Sequence, residues 1–251
     1  MTPPDPDARN PEDVRQMFAR ASKTYDAANR AMCMGLDVIW RRRLVRALLS
    51  GAQSDAAPAF LDAACGSGDV ALEILKAHPG ARVTGADFCA PMLEKARKKI
   101  ADADAKYPEK NLLARAEFTE ADCERLPFAD GTFSGATAAF GFRNFKNRTA
   151  CLKEIRRVLK KGAMFHCLEV ARTKKIFSPA QYAFMKWIVP AIGAAAGGKW
   201  SDYLYLGEST LRYPARPEVE QIFRNAGFDR VQTRPMMFGF VAVTSARSPA
   251  P

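Results

Sequence analysis

Apolar positions along the chain repeat in two rhythms, one helical and one in short continuous runs, and the two alternate. Val14, Met17, Phe18, Ala21 and Tyr25 fall at helical spacing, which predicts an amphipathic helix from near Pro11 that ends in an irregular segment around Asp26 and Asn29. The stretch GLDVIWRRRLVRALLSGA predicts a second helix with Val38, Ile39, Leu44, Val45, Leu48 and Leu49 inward and its arginines outward. Residues 12–50 therefore read as a helical cap preceding a sheet, and residues 1–11, rich in Pro and Asp, as a flexible lead-in without the apolar core of a signal peptide.

The next stretch, FLDAACGSGD from Phe60 to Asp69, is an apolar run closed by Gly66, Ser67, Gly68 and Asp69, and VALEILKA after it has helical spacing. Strand, tight glycine turn and helix in that order let backbone N–H groups approach a nucleotide-like ligand. Alone the turn is ambiguous, because GSGDVA also fits the looser dinucleotide-binding pattern. RVTGAD predicts a second strand ending at Asp87, placed either to accept hydrogen bonds from a ribose or to cap the helix PMLEKARKKI.

The polar segment ADADAKYPEKN leads to a third strand near Ala116 to Phe118. Asp122 and Cys123 follow in a loop whose Leu126, Pro127 and Phe128 would wall a base, and ATAAF is the fourth strand. NRTACLKEIRRVLKKGA predicts a helix closed by Gly162, and MFHCLEV a fifth strand ending near Glu169. His166 within that strand has no acid or thiol partner in sight and reads as a packed residue. An apolar helical insertion runs from Phe177 to Trp200, within a substrate-side segment 172–205. VEQIFRNAGF is a further helix, and DRVQTRPMMFGFVAVTSA a closing antiparallel strand pair. Alternating strands and helices define an α/β fold, and residues 12–251 form one domain.

Composition changes this picture in two places. The 38 Lys and Arg against 27 Asp and Glu give a formal net charge of +11, clustered at Arg41–Arg43, Lys95–Lys99, Arg156–Lys161 and Arg172–Lys175. Such clusters are either solvated helix faces or contacts to an anionic surface. The six cysteines are scattered without a C-x-x-C pair and there are two histidines, which predicts no metal site and a reducing, cytoplasmic location. The most apolar run, Trp187 to Gly198, is interrupted by Pro190 and too short for a membrane span.

Asp62, the Gly66–Gly68 turn, Asp87 and the Asp122–Phe128 loop together resemble a class I S-adenosylmethionine-dependent methyltransferase, and the terminal strand pair agrees with one. Nearly the whole chain resembles the ubiquinone/menaquinone biosynthesis C-methyltransferase family. The family's Y-D-x-M-N signature with its later Ser, His and Trp is met by Tyr25, Asp26, Asn29 and Trp40, while Ala28, Cys33 and Asp37 depart from it. Its R-V-L-K-P-G-G signature appears as RVLKKGAMFHCLEVA, with Lys161, Ala163 and Ala171 as departures. FGFRN, Phe140 to Asn144, matches F-G-L-R-N, and YLYLGES, Tyr203 to Ser209, matches a tyrosine-rich motif.

The resemblance implies a Rossmann-like, mostly parallel sheet and S-adenosyl-L-methionine as cofactor. Asp62, Gly66, Ser67 and Gly68 would hold it at the glycine corner, Asp87 at the ribose, and Asp122 with Cys123 at the adenine; Ala139 stands where the family has a contacting Ser. It implies a prenylated quinol as acceptor, with demethylmenaquinol ahead of the benzoquinol of ubiquinone synthesis. Arg143 would stabilise the phenolate or drive a water-relayed deprotonation, Asn144 would orient the ring oxygens, and a water or Tyr25 would relay the proton. The other reading of Arg143 is a loop anchor paired with Glu169 or Asp26. No nucleic-acid partner is expected, since AAFGFRN lacks the Asn/Asp-Pro-Pro-aromatic motif of amino-methylating enzymes. The insertion would take an isoprenoid tail, lie against an anionic membrane, or pack as a lid; a homodimer is compatible with all three.

Overall fold

The computed structural model describes residues 10–22, 24–52, 55–172 and 178–249. Seven strands form one sheet in the order β3-β2-β1-β4-β5-β7-β6. The strands are β1 (Ala59–Ala63), β2 (Arg82–Asp87), β3 (Ala116–Glu120), β4 (Phe133–Ala139), β5 (Leu159–Val170), β6 (Asp229–Met236) and β7 (Val241–Arg247). All pair in parallel except β7, which runs antiparallel to both β5 and β6. The expected Rossmann-like sheet with a terminal antiparallel pair is present.

Adjacent residues of β1 supply the two cores. Phe60 faces a layer made by α3 (Leu36–Ser50), α4 (Asp69–Ala77) and α5 (Ala90–Lys106), whereas Leu61 faces α6 (Arg148–Val158) and α10 (Arg216–Asn225). Phe60, Phe142, Phe165 and Phe223 are fully buried; each such ring contributes roughly 1.5–3 kcal/mol relative to exposure. Gly85 on β2 has no room for a side chain, since a Cβ there would lie 2.6 Å from the Phe118 ring of β3.

The cap comprises α1 (Pro11–Ala21), α2 (Tyr25–Met32), α7 (Ser178–Ala183), a π-helical turn Phe184–Ile188, α8 (Val189–Ala195) and α9 (Trp200–Arg212). Asn10 caps α1 through its side chain, which accepts from Glu12 N at 3.1 Å. The segment around Asp26 and Asn29, expected to be irregular, is the helix α2. Ala28 and Met32, four residues apart, give it a buried face against Met185, Val189 and Tyr203.

Other boundaries differ for local reasons. ADADAK continues α5 to Lys106, because its alanines favour helix and Ile100 is buried. Helix α6 stops at Val158 and the chain enters β5 at Leu159, so Gly162 (φ +81) lies within a strand and closes no helix. Phe177 of the expected insertion lies outside the described residues, and the helix begun at Trp200 runs on to Arg212. In α3, Ile39 is 48% exposed while Arg41 is 8% exposed. Arg41 shares a face with Leu44 and Leu48 and is drawn inward by two carboxylates, Asp37 and Asp69.

Candidate active site

Strand order reverses between β1 and β4, and the loops leaving their carboxyl ends part to open a cleft. Asp62, Gly66, Ser67, Asp87, Asp122 and Cys123 line it, so six of the seven residues expected to hold the cofactor come together here. Gly68 stands behind the wall, where its φ of +77 starts α4; a Cβ there would lie 2.9 Å from Ala96 Cβ. Ala139 also lines the cleft. The expected wall of Leu126, Pro127 and Phe128 does not. Leu126 and Phe128 pack into the core, with the Phe128 ring 5.2 Å from that of Phe133. Apolar contacts in the cleft come instead from Phe18, Val70, Phe88, Met92 and Phe145.

The carboxylates of the cleft are held by backbone and hydroxyl donors. Asp87 accepts from Gly66 N at 2.8 Å and from Cys89 N at 2.9 Å. It therefore fastens the glycine corner and, of its two sequence-derived roles, fills the one at the start of α5. Burial pushes its carboxyl up to about 6. Asp62, 1% exposed, accepts from the Thr137 hydroxyl at 3.0 Å, and its Oδ2 has no partner. Burial raises it to about 7, partly offset by Thr137. Burial likewise pushes the Cys123 thiol up, so it stays protonated and acts as an apolar wall. Asp122 is exposed and accepts from Glu124 N.

Ser67 is engaged more than the sequence suggests. Its Oγ donates to Asp26 at 2.6 Å and accepts from Lys99 at 3.0 Å. Asp26 also pairs with Lys95 and Lys99 at 3.1 and 3.0 Å. Burial opposes ionisation of Asp26, but the Ser67 hydroxyl and the Lys99 ammonium outweigh it and hold the carboxyl below the usual range. Lys99 and Arg41 both reach Asp69 at the start of α4. This lattice ties α2 and α3 to the glycine corner.

A second cavity of about 330 Å³ adjoins the cleft, under α2, the π-helical turn and α8. Its walls are chiefly apolar, with Met32, Trp40, Phe184, Met185, Val189 and Leu206 among them. Tyr25, Asn29, Arg41 and Phe140 border both spaces. Tyr25 stands between the two; burial pushes its phenol up, opposed by the Arg143 charge. Asn144 faces the cleft and accepts from Tyr205 Oη at 3.3 Å. Arg143 is on the second cavity, away from the cleft, and is anchored to Glu169 rather than Asp26. Its Nη1 lies 2.6 Å from Glu169 Oε1 and 2.7 Å from Phe140 O, while its Nε has no partner. His166 packs as expected, with Nδ1 2.8 Å from Ser245 Oγ.

Sequence reasoning missed Asn29, Asp37 and Arg41 as site residues. Asn29 was visible as part of the Tyr25–Asn29 signature, and the four-residue spacing of Asp37 and Arg41 puts them on one helix face. The run of three arginines hid which one turns inward.

The sheet order and the glycine-corner cleft are those of the class I S-adenosylmethionine-dependent methyltransferase fold, and the family match makes the chain such an enzyme. A methyltransferase of this kind from Thermotoga maritima superposes with a TM-score of 0.63 at 18% identity, covering 93% of this chain and 98% of that one. The cyclase SpnF superposes with a TM-score of 0.69 at 17% identity over 98% of both chains, so the scaffold also occurs in a protein named for other chemistry. The chain belongs to the ubiE/COQ5 methyltransferase family, whose profile matches residues 7–247. It is 37% identical over 228 residues to the demethylmenaquinone methyltransferase of Thermus thermophilus, covering 90% of this chain and 97% of that protein.

The cleft suits S-adenosyl-L-methionine. The unpartnered Asp62 oxygen complements a cationic amino-acid moiety, the glycine corner leaves room for close backbone approach, and the Phe88–Met92 side suits a base.

Proposed function

We propose that the enzyme methylates a ring carbon of a prenylated quinol, a demethylmenaquinol-type naphthoquinol ahead of a benzoquinol. The observation that carries this reading is the apolar cavity sharing Tyr25, Asn29, Arg41 and Phe140 with the cofactor cleft. A polar acceptor would find few partners there, whereas a fused ring with an isoprenoid tail would bury apolar surface at roughly 25 cal/mol per Å². The name of the Thermus relative favours the same acceptor class.

When bound, the cofactor supplies an electrophilic methyl group in the cleft. The protein holds the acceptor carbon against that cleft, excludes water, and favours the phenolate that makes the carbon nucleophilic. Asp62, Gly66, Ser67, Gly68, Asp87, Asp122 and Cys123 would hold the cofactor. Arg143 contributes positive charge beside the ring oxygen but, always protonated, does not take the proton. Its pairing with Glu169 makes it a fixed rather than mobile charge. Tyr25 at the boundary and Asn144 on the cleft side orient the acceptor.

Delivery of a prenylated acceptor fits contact with the membrane's inner face. Among the described residues no helix is long and apolar enough to cross a membrane. Trp187, Ile188 and Tyr182 are 60%, 47% and 49% exposed beside Lys186, an apolar-cationic face suited to an anionic lipid surface.

The test is complementation of a quinone C-methylation mutant followed by mass analysis of its lipids. Restored methylated quinone supports the reading, and its absence with the protein expressed and folded rejects it.

A further inference from the structure

The quinol reading requires a phenolic proton to leave, and neither Arg143, always charged, nor Tyr25, a neutral phenol, accepts it. Asp37 is the one carboxylate among the residues lining the acceptor cavity. It sits in the first turn of α3 and is 1% exposed. Its Oδ2 pairs with Arg41, four residues on. Its Oδ1 accepts no hydrogen bond, and its nearest charged neighbour is Arg30 Nη1 of α2 at 3.4 Å. A buried carboxylate oxygen without a hydrogen bond is costly, and a hydroxyl brought by a ligand would satisfy it.

Arg41 makes the position chemically useful. It borders both cavities and pairs with Asp37 on the acceptor side and Asp69 on the cofactor side, the latter at 3.0 Å. The groups facing Asp37 are thus Arg30 from α2, Arg41 from α3 and, across the cavity, Arg143, with Tyr25 and Cys33 as neutral neighbours. A proton moved onto Asp37 releases Arg41 from part of its compensation, and the freed positive charge faces the oxyanion just formed.

Resting on the quinol reading above, we infer that Asp37 is a catalytic residue, the proton acceptor for the acceptor's ring hydroxyl, with Arg41 holding the resulting phenolate. The O–H bond breaks, the proton passes to the Asp37 carboxylate, and the electron pair stays on the oxygen and feeds the ring. The ring carbon gains the methyl group and still carries its hydrogen. That hydrogen leaves as a proton to water, restoring the aromatic phenolate, which then recovers the proton from Asp37. The net change is one ring hydrogen released as a proton and one methyl gained.

The experiment compares wild type, Asp37→Asn and Asp37→His on a short-tailed demethylmenaquinol, with full pH profiles of kcat and calorimetry of S-adenosylhomocysteine binding. Asp37→Asn keeps the shape but accepts no proton, so kcat should fall by ~100-fold or more, the range expected for general-base catalysis. KM and S-adenosylhomocysteine affinity should stay within about threefold, as expected when the lost interaction belongs to the transition state. Asp37→His should recover part of the rate with its acid limb moved to higher pH, because an imidazole titrates above a carboxylate.

Near wild-type kcat in Asp37→Asn overturns the inference. So does an Asp37→His enzyme whose acid limb stays where the wild type has it, since a merely structural Asp37 predicts that result. If Asp37→Asn fails to fold, the position of the limb in Asp37→His decides alone. A folded wild type that is inert on every quinol overturns the quinol reading and this inference with it; an active wild type beside an active Asp37→Asn overturns only the inference.

Discussion

Arg143 and Glu169 grip each other twice: Nη1 lies 2.6 Å from Oε1, and the Arg143 backbone N–H donates to Oε2 at 3.0 Å. Both side chains are about 5% exposed or less. The pair fastens the short turn Phe142–Asn144 to the end of β5, and with it the position of Asn144 on the wall of the cleft. A fixed positive charge on the wall of the second cavity is the consequence.

Removing one partner of such a pair leaves the other charged, buried and uncompensated. Glu169→Ala is expected to lose about 3–5 kcal/mol of stability in urea unfolding. Arg143→Ala together with Glu169→Ala should cost clearly less than the two single changes summed. Strict additivity would mean that the two groups are not coupled. Arg143→Ala that folds, binds S-adenosylhomocysteine and turns over like wild type would remove Arg143 from the chemistry.

Asp62 titrates near 7 and Asp87 near 6 in the folded state, both well above their ordinary 3.8. Between those values the folded protein keeps protons that the unfolded chain has released, so these groups make stability fall as pH rises from ~4 to ~7. His166 works the other way: burial lowers it from 6.5 to about 4, so stability is lost as pH falls through that window. Asp62→Asn without ligand should therefore be more stable than wild type at pH ~8, and should lose stability more steeply on acidification below pH ~6.5, where His166 is less opposed. Urea melts at both pH values check this. A less stable Asp62→Asn at the higher pH contradicts it.

Gly68 combines a left-handed backbone with contact to α5. Gly68→Ala places a Cβ 2.9 Å from Ala96 Cβ and 3.3 Å from its Cα at a φ of +77. The expected loss is about 1–3 kcal/mol from overpacking, and S-adenosylhomocysteine affinity should drop by about tenfold or more as the corner shifts, equivalent to 1.4 kcal/mol. Unchanged affinity by calorimetry would show that the corner tolerates the displacement.

The apolar-cationic face on the cap yields a flotation experiment. Trp187→Glu with Ile188→Glu should abolish most association with vesicles containing anionic lipid, and raised salt should weaken the wild type's association. Equal flotation of wild type and variant, or none by either, rejects the membrane face. Turnover on a short-tailed quinol should be unaffected, since both side chains point outward, at 60% and 47% exposure.

The order of strands and helices was readable because each element carries its own period. Alternating apolar runs and helical patterns mark β1 to β5 and the helices between them, and Phe60–Asp69 marks the cofactor corner. The limits of that reading lie where local preference is weak. The segment around Asp26 and Asn29 looks irregular alone and becomes α2 because Ala28 and Met32 find Met185, Val189 and Tyr203. Leu159 to Gly162 looks like the end of a helix and becomes strand because Leu159 pairs with Phe133 of β4 and Gly162 N donates to Ser248 O just beyond β7. The Leu126–Phe128 loop has the composition of a base wall, yet the core beside Phe133 takes it.

From the chain alone follow the α/β alternation, the glycine corner, the closing strand pair and the family, since each depends on residues close in sequence and on their spacing. Which arginine turns inward, which carboxylate meets it, and which side chains stand between the cleft and the apolar cavity depend on helices brought together from distant parts of the chain. Arg41 illustrates the difference: in the sequence it is one of three consecutive arginines, and only its placement beside Asp37 and Asp69 makes burying its charge favourable.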